Sequence, residues 1–246
     1  MKTKPTVGIF SFTCCEGCQL ELLQLDEKFL QLLQFTKLAN SRMLLERNTE
    51  QMLDIVIVEG SIVSKSEAEK IKKIRANAKF LIALGACACL GGVNAMRNNL
   101  SPEIKKSIEE KTKKIGSEKV CGIGEIVKVD YFLQGCPIVH REVEKVLKLL
   151  LSGQKPKQTD YPVCFECKAN ENPCFLLKNI SCLGPIATAG CNAICTTQGF
   201  HCTACRGINK DANLAALREC ARRRGIPEKE MDDLLGIYNT GGSNNA

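Results

Sequence analysis

Over the first 150 or so residues, short continuous apolar runs alternate with stretches whose apolar residues recur every three or four positions. Residues 7–10, 54–58, 80–84 and 127–133 are runs of the first kind and predict strands. Residues 20–38 carry Leu22, Leu25, Phe29, Leu32 and Leu33 at near-helical spacing and predict one helix. Ser64 or Ser66 caps a further helix that reaches about Asn77. Ser101-Pro102-Glu103 opens another, with Ser as cap and Pro in the first turn. Residues 138–151 predict a strongly amphipathic helix, with Pro137 at its start. Strands that alternate with helices predict an α/β fold with a parallel sheet.

The pattern changes after residues 152–162, Ser-Gly-Gln-Lys-Pro-Lys-Gln-Thr-Asp-Tyr-Pro, which have the composition of a linker. Residues 164–205 hold eight cysteines and little periodicity. Helical patterning returns over 211–236, and residues 240–246 are expected to be an unstructured tail. Two domains are therefore predicted, 1–153 and 154–246. The second is small and loop-rich and cannot bury a large core alone, so bound metal is expected to help fold it.

Cysteine is the outlier of the composition, at 16 of 246 residues, with 44% hydrophobic residues and 5% aromatics otherwise ordinary for a globular chain. The opening Met-Lys-Thr-Lys-Pro carries no secretory-leader or twin-arginine pattern and no apolar run reaches membrane length, so a reducing cytoplasmic location is expected. There, committed thiols point to metal rather than disulfides. The formal charge of +7 could suggest a nucleic-acid partner. Three four-thiolate iron–sulfur cubanes at about −2 each would bring the balance to about +1. The run 105–114 mixes Lys with Glu109 and Glu110 and is expected to be a solvated helix face. Neither nucleic acid nor a membrane is an expected partner.

Spacing divides twelve of the cysteines into three sets. Cys15-x2-Cys18 follows the first strand, Gly85-Ala86-Cys87 ends the third, and Gly135-Cys136-Pro137 ends the fourth. Ligands of open parallel sheets bind beyond the carboxyl ends of strands, so these four thiols should converge there, the number that one cubane needs. Beyond the linker come Cys164-x2-Cys167-x6-Cys174-x7-Cys182 and then Cys191-x3-Cys195-x6-Cys202-x2-Cys205. Four-cysteine zinc sites are the main alternative for these. A zinc ribbon brings one CxxC pair from each end of a loop, whereas here each set has a single pair and staggered single ligands. That favours cubanes. Cys14 and Cys89 lie beside proposed ligands and could replace them; Cys121 and Cys220 have no assigned role. His140 is expected to pack or hydrogen-bond at a helix start, and His201 to reach a cluster sulfur. Glu16 and Glu59, at strand ends, are expected to be structural. No acid–base group has the company that catalysis needs, so no catalytic residue is predicted.

Together these motifs resemble the small, electron-transfer subunit of [NiFe] hydrogenases over nearly the whole chain. The resemblance is carried by Cys15-x2-Cys18, Val58-Glu59-Gly60-Ser61-Ile62, Gly85-Ala86-Cys87-Ala88 with Gly91-Gly92, Val129-Asp130 leading to Gly135-Cys136-Pro137, and Cys182-Leu183-Gly184-Pro185 with Gly190-Cys191. It implies a flavodoxin-like first domain and a two-cluster second domain. It assigns Cys15, Cys18, Cys87 and Cys136 to a proximal [4Fe–4S] cluster, Cys191, Cys195, Cys202 and Cys205 to a medial one, and Cys164, Cys167, Cys174 and Cys182 to a distal one. It implies a large subunit that carries the nickel–iron site, and a flavin- or iron–sulfur-containing acceptor subunit in a heteromeric complex. Periplasmic members use His as first distal ligand and often only three medial cysteines; Cys164 and Cys195 place this chain nearer the cytoplasmic methyl-viologen-reducing hydrogenases and sulfhydrogenases. Oxygen-tolerant members carry two extra cysteines where this chain has Gly17 and Gly92, which implies ordinary oxygen sensitivity. A related quinone-reductase (complex I type) subunit resembles only the first domain and uses adjacent cysteines, as in Cys14-Cys15; Cys18 and the second domain argue against it. A zinc-stabilised binding module without redox function is the other rival.

Overall fold

A computed structural model describes residues 4–25, 27–49, 51–111 and 119–239. Five strands form one parallel sheet in the order β2-β1-β3-β4-β5: β1 Thr6–Ser11, β2 Lys37–Ser41, β3 Leu53–Glu59, β4 Ala78–Leu84 and β5 Tyr131–Leu133. This is the flavodoxin-like order, in which the chain reverses direction across the sheet between β1 and β3. The buried β3 reads Leu-Asp-Ile-Val-Ile-Val-Glu, as a strand covered on both faces should. One face packs under α1 (Gly17–Leu23), α2 (Glu27–Gln34) and α6 (His140–Leu151) through Leu22, Leu25, Phe29, Val143 and Val146. The other is covered by α3 (Lys65–Ala76) through Ile71 and Ile74. Ser64, rather than Ser66, is the cap of α3, its Oγ accepting from the Glu67 N–H at 3.3 Å.

Three expectations are corrected. Residues 20–38 are not one helix. The chain breaks after Leu23, resumes as α2, and ends in the edge strand β2, which carries Leu38. Leu22, Leu25, Phe29, Leu33 and Leu38 all face the same core, so the apolar repeat runs through the break undisturbed. The fifth strand starts at Tyr131 rather than residue 127. Asp130 is taken up by side-chain bonds, its carboxylate accepting from the Leu81 N–H at 2.8 Å and from Arg75 at 3.0 Å. Pro137 does not open α6, which begins at His140 with Val139 as cap; a cis peptide joins Cys136 to Pro137 in the preceding turn.

Residues 163–237 build a separate core around Val163, Phe175, Leu183, Ile186, Leu217 and Met231. Its regular structure is slight: α7 (Val163–Ala169), α8 (Ile194–Thr197), α9 (Leu214–Arg223), α10 (Glu228–Gly236) and isolated bridges such as Ala187 with Ile208. Pro102–Lys111 forms α5 as expected, while residues 112–114 of the basic run and the tail 240–246 lie outside the described residues. Among the described residues no helix is long and apolar enough to cross a membrane.

Candidate functional site

The first cysteine set forms where the carboxyl ends of β1, β4 and β5 come together. Cys15 and Cys18 stand at the entry to α1, Cys87 on the short helix α4 (Gly85–Leu90) directly after β4, and Cys136 just after β5. Cys87 feels the charge of Cys136 and Cys15, and Cys18 that of Cys136 and Cys87. Gly85 makes the approach possible: its φ is +82°, and a Cβ there would strike the Cys18 sulfur. Gly17 and Gly92 flank the same sulfurs, at 3.3 Å from Cys15 Sγ and 2.8 Å from Cys87 Sγ for an added Cβ.

Glu59, 2% exposed at the end of β3, fastens this turn. Its two carboxylate oxygens accept from the backbone N–H groups of Cys18 and Gln19, each at 3.1 Å. This satisfies donors at the start of α1 and holds Cys18 in place. Glu59→Ala is expected to cost about 1–3 kcal/mol by leaving both donors buried and unpaired. Anaerobic denaturant unfolding measures it, and a midpoint unchanged from the native protein would refute that role. Glu16 pairs with Arg42 and accepts from Ser11, and His140 faces the Glu21 carboxylate.

The second part brings its eight cysteines together in two groups. Cys164 feels Cys182, Cys167 and Cys174; Cys205 feels Cys191 and Cys195; Cys202 feels Cys182 of the other group, then Cys205 and Cys191. Backbone hydrogen bonds join the groups end to end. The Cys136 N–H donates to the Cys205 sulfur, and the Cys202 N–H to Cys182 Sγ at 3.4 Å. Of the remaining thiols, Cys14 borders the first set, whereas Cys89 donates to the Ala83 carbonyl at 3.4 Å. Cys121 is buried with Val58, Ile62 and Ile123, and Cys220 packs on the second core.

Burial pushes the Cys87, Cys164 and Cys205 thiols up to about 12, with neighbouring thiolates adding to it, and raises Cys18 and Cys202 as well. The protein alone therefore disfavours thiolates at these positions, and a cationic core is what would stabilise them. Among the described residues no three His, Cys, Asp or Glu side chains converge tightly enough for one metal ion. A single zinc would draw its sulfurs to about 3.8 Å from one another. A cavity of about 630 Å³ opens beside Cys136, Cys191, Cys195, Cys202 and Cys205. Soft thiolates are the ligands an iron–sulfur core takes.

Several groups that shape these sites escape a sequence reading. Glu166, within Cys164-Phe165-Glu166-Cys167, accepts from the N–H groups of Gly190 (2.8 Å) and Ala193 (3.1 Å) and so holds the Cys191 loop. Arg206 follows Cys205, is 1% exposed and is paired with Glu142 of α6. Tyr238, just past α10, donates to the Cys136 sulfur. Adjacency to a cysteine was the only available signal for Glu166 and Arg206, and Tyr238 offered none.

The family described as NADH ubiquinone oxidoreductase, 20 Kd subunit, matches residues 15–150. Sulfhydrogenase 2 subunit delta of Pyrococcus furiosus is 34% identical, over 94% of this chain and 98% of that protein. The chain belongs to this family, as a hydrogenase small subunit. A vhu subunit of the F420-non-reducing hydrogenase of Methanocaldococcus jannaschii is 29% identical over 95% of this chain and 93% of its own length. A chain of an NAD+-reducing [NiFe]-hydrogenase solved in the H2-reduced state is 28% identical with a TM-score of 0.56, covering 63% of this chain and 95% of that one. The family match ends at residue 150, whereas the Pyrococcus furiosus and Methanocaldococcus jannaschii hydrogenase subunits also cover most of the cysteine-rich part.

Proposed function

We propose that this hydrogenase small subunit relays electrons between the nickel–iron site of a large subunit and an acceptor subunit, holding three [4Fe–4S] clusters to do so. Residues 1–153 form the domain of the proximal cluster, on Cys15, Cys18, Cys87 and Cys136. Residues 154–246 form the domain of the other two, the medial on Cys191, Cys195, Cys202 and Cys205 and the distal on Cys164, Cys167, Cys174 and Cys182. When bound, the clusters supply one-electron redox chemistry, which none of this chain's side chains offers. The observation that carries the reading is the series of contacts between the three cysteine sets, Cys136 with Cys205 and Cys202 with Cys182. Exposed thiols stand at both ends of that series, Cys15 at one and Cys174 at the other. A wire between two partner subunits needs access at both ends.

The chain's own work is to hold, insulate and tune. Backbone N–H groups of Ile138, Gly184, Ala193 and Ala204 donate to the sulfurs of Cys18, Cys182, Cys191 and Cys202, which lowers the negative charge density there. The acceptor subunit contains flavin or iron–sulfur, and the complex works in the cytoplasm.

Exposure to H2 tests the relay. Visible absorbance of the chain bleaches when its large subunit is present and stays unchanged without it. Bleaching of the isolated chain, or no bleaching of the complex, contradicts the assignment. With Gly17 and Gly92 beside Cys15 and Cys87, the purified complex is expected to lose H2 oxidation in air. Sustained turnover in air overturns that expectation.

A further inference from the structure

One buried side chain, directly after Cys205, binds the backbone near two cysteines of two different sets. The Arg206 guanidinium donates through Nε to the Ala189 carbonyl at 2.8 Å, two residues before Cys191. Its Nη1 donates to the Gln134 carbonyl, two residues before Cys136. Arg206 itself directly follows Cys205. The same guanidinium forms a two-pronged pair with Glu142 of α6, Nη1 to Oε2 at 2.7 Å and Nη2 to Oε1 at 2.8 Å. Gly190 leaves room for it: φ there is +116°, and a Cβ would strike Nη2.

Burying an ion pair this completely gains little stability over an apolar pair of the same shape. A fork that fixes several acceptors in one plane is what arginine offers and lysine does not. The two carbonyls it holds belong to opposite sides of the join between the sheet domain and the cysteine-rich part. No other described residue binds backbone ahead of both Cys136 and Cys191.

We propose that Arg206 is the positioning residue that sets the separation and orientation of the cysteine set of Cys136 and that of Cys191 and Cys205, and thereby the rate at which electrons cross between them. This rests on the three-cluster reading. Glu142 holds the fork in its plane, and the Cys136 N–H to Cys205 contact is the joint whose geometry the fork maintains.

The test uses the complex with its large subunit and compares the native protein with Arg206→Lys and with the double variant Arg206→Met/Glu142→Met. The lysine keeps the charge and loses the fork. The double variant leaves no uncompensated buried charge, so it folds even if Arg206→Met alone does not. Three quantities are read: iron per chain, the magnetic interaction between neighbouring reduced clusters by electron paramagnetic resonance, and the rate of H2-driven reduction of a dye that accepts at the far end. Both variants are expected to keep native iron, to show a weakened interaction between the first two clusters, and to reduce the dye on the order of tenfold more slowly. Native interaction and native rate in either variant overturn the proposal, as does loss of iron, which would make Arg206 a builder of one ligand set rather than a spacer between two. A native complex without clusters would defeat the underlying reading instead, and the unmodified sample shows this directly.

Discussion

Replacing Cys87 by Ala is expected to lower the iron content from about twelve to about eight per chain, the loss of one four-iron site of the proposed three. The cause is positional. Cys87 arrives on α4 immediately after β4 and faces Cys15, Cys18 and Cys136, which come from two other strand ends. Neither neighbouring thiol, Cys14 or Cys89, belongs to the proposed set, although Cys14 borders it. Cys89 is committed to the Ala83 carbonyl of the strand behind it. Cys14→Ala and Cys89→Ala are therefore expected to keep about twelve irons. If Cys14→Ala loses four irons while Cys87→Ala keeps them all, the first ligand set is wrongly drawn, because Cys14 borders the same group. Iron and acid-labile sulfide assays on the purified variants decide it.

Stripping the iron under anaerobic conditions is expected to unfold the cysteine-rich part and spare the sheet domain. Residues 163–237 have four short helices and only isolated bridges, and their core includes Cys182 and Cys202. Without a bound core, buried thiols there lose what ties one loop to the next, and structural metal sites of this kind supply folding free energy outright. The sheet domain has its own two-sided core on β3 and β4 and needs no such help. Limited proteolysis of the stripped protein should cut within and beyond 154–162 and leave a stable fragment that contains β1 to α6. Equal resistance of both parts, or equal loss, refutes the division of labour between them.

What the sequence made legible follows from how local each signal is. Cys87 and Cys136 follow apolar strands through Gly-Ala-Cys and Gly-Cys-Pro, so the strand ends and the cysteines there could be read together. Ser64 and Pro102 announce their helices because capping is a matter of one or two residues. The break after Leu23 and the edge strand β2 were hidden, since their apolar residues cover the same sheet face as the helices before them. Asp130 shortens β5 through a contact with Leu81, 49 residues away, which periodicity does not register. Arg206 with Glu142 is 64 residues apart, and its burial inverts what a charged residue normally signals. The features that position the cysteine sets were therefore the non-local ones, while the sets themselves were marked by spacing.

Iron and acid-labile sulfide per chain, counted on the natively purified complex after subtraction of its other subunits, test the central claim most directly. The account predicts about twelve of each in a brown protein with broad visible absorbance. About four of each would mean that only the sheet domain carries a cluster, and a colourless zinc-loaded chain would contradict the electron-relay function altogether.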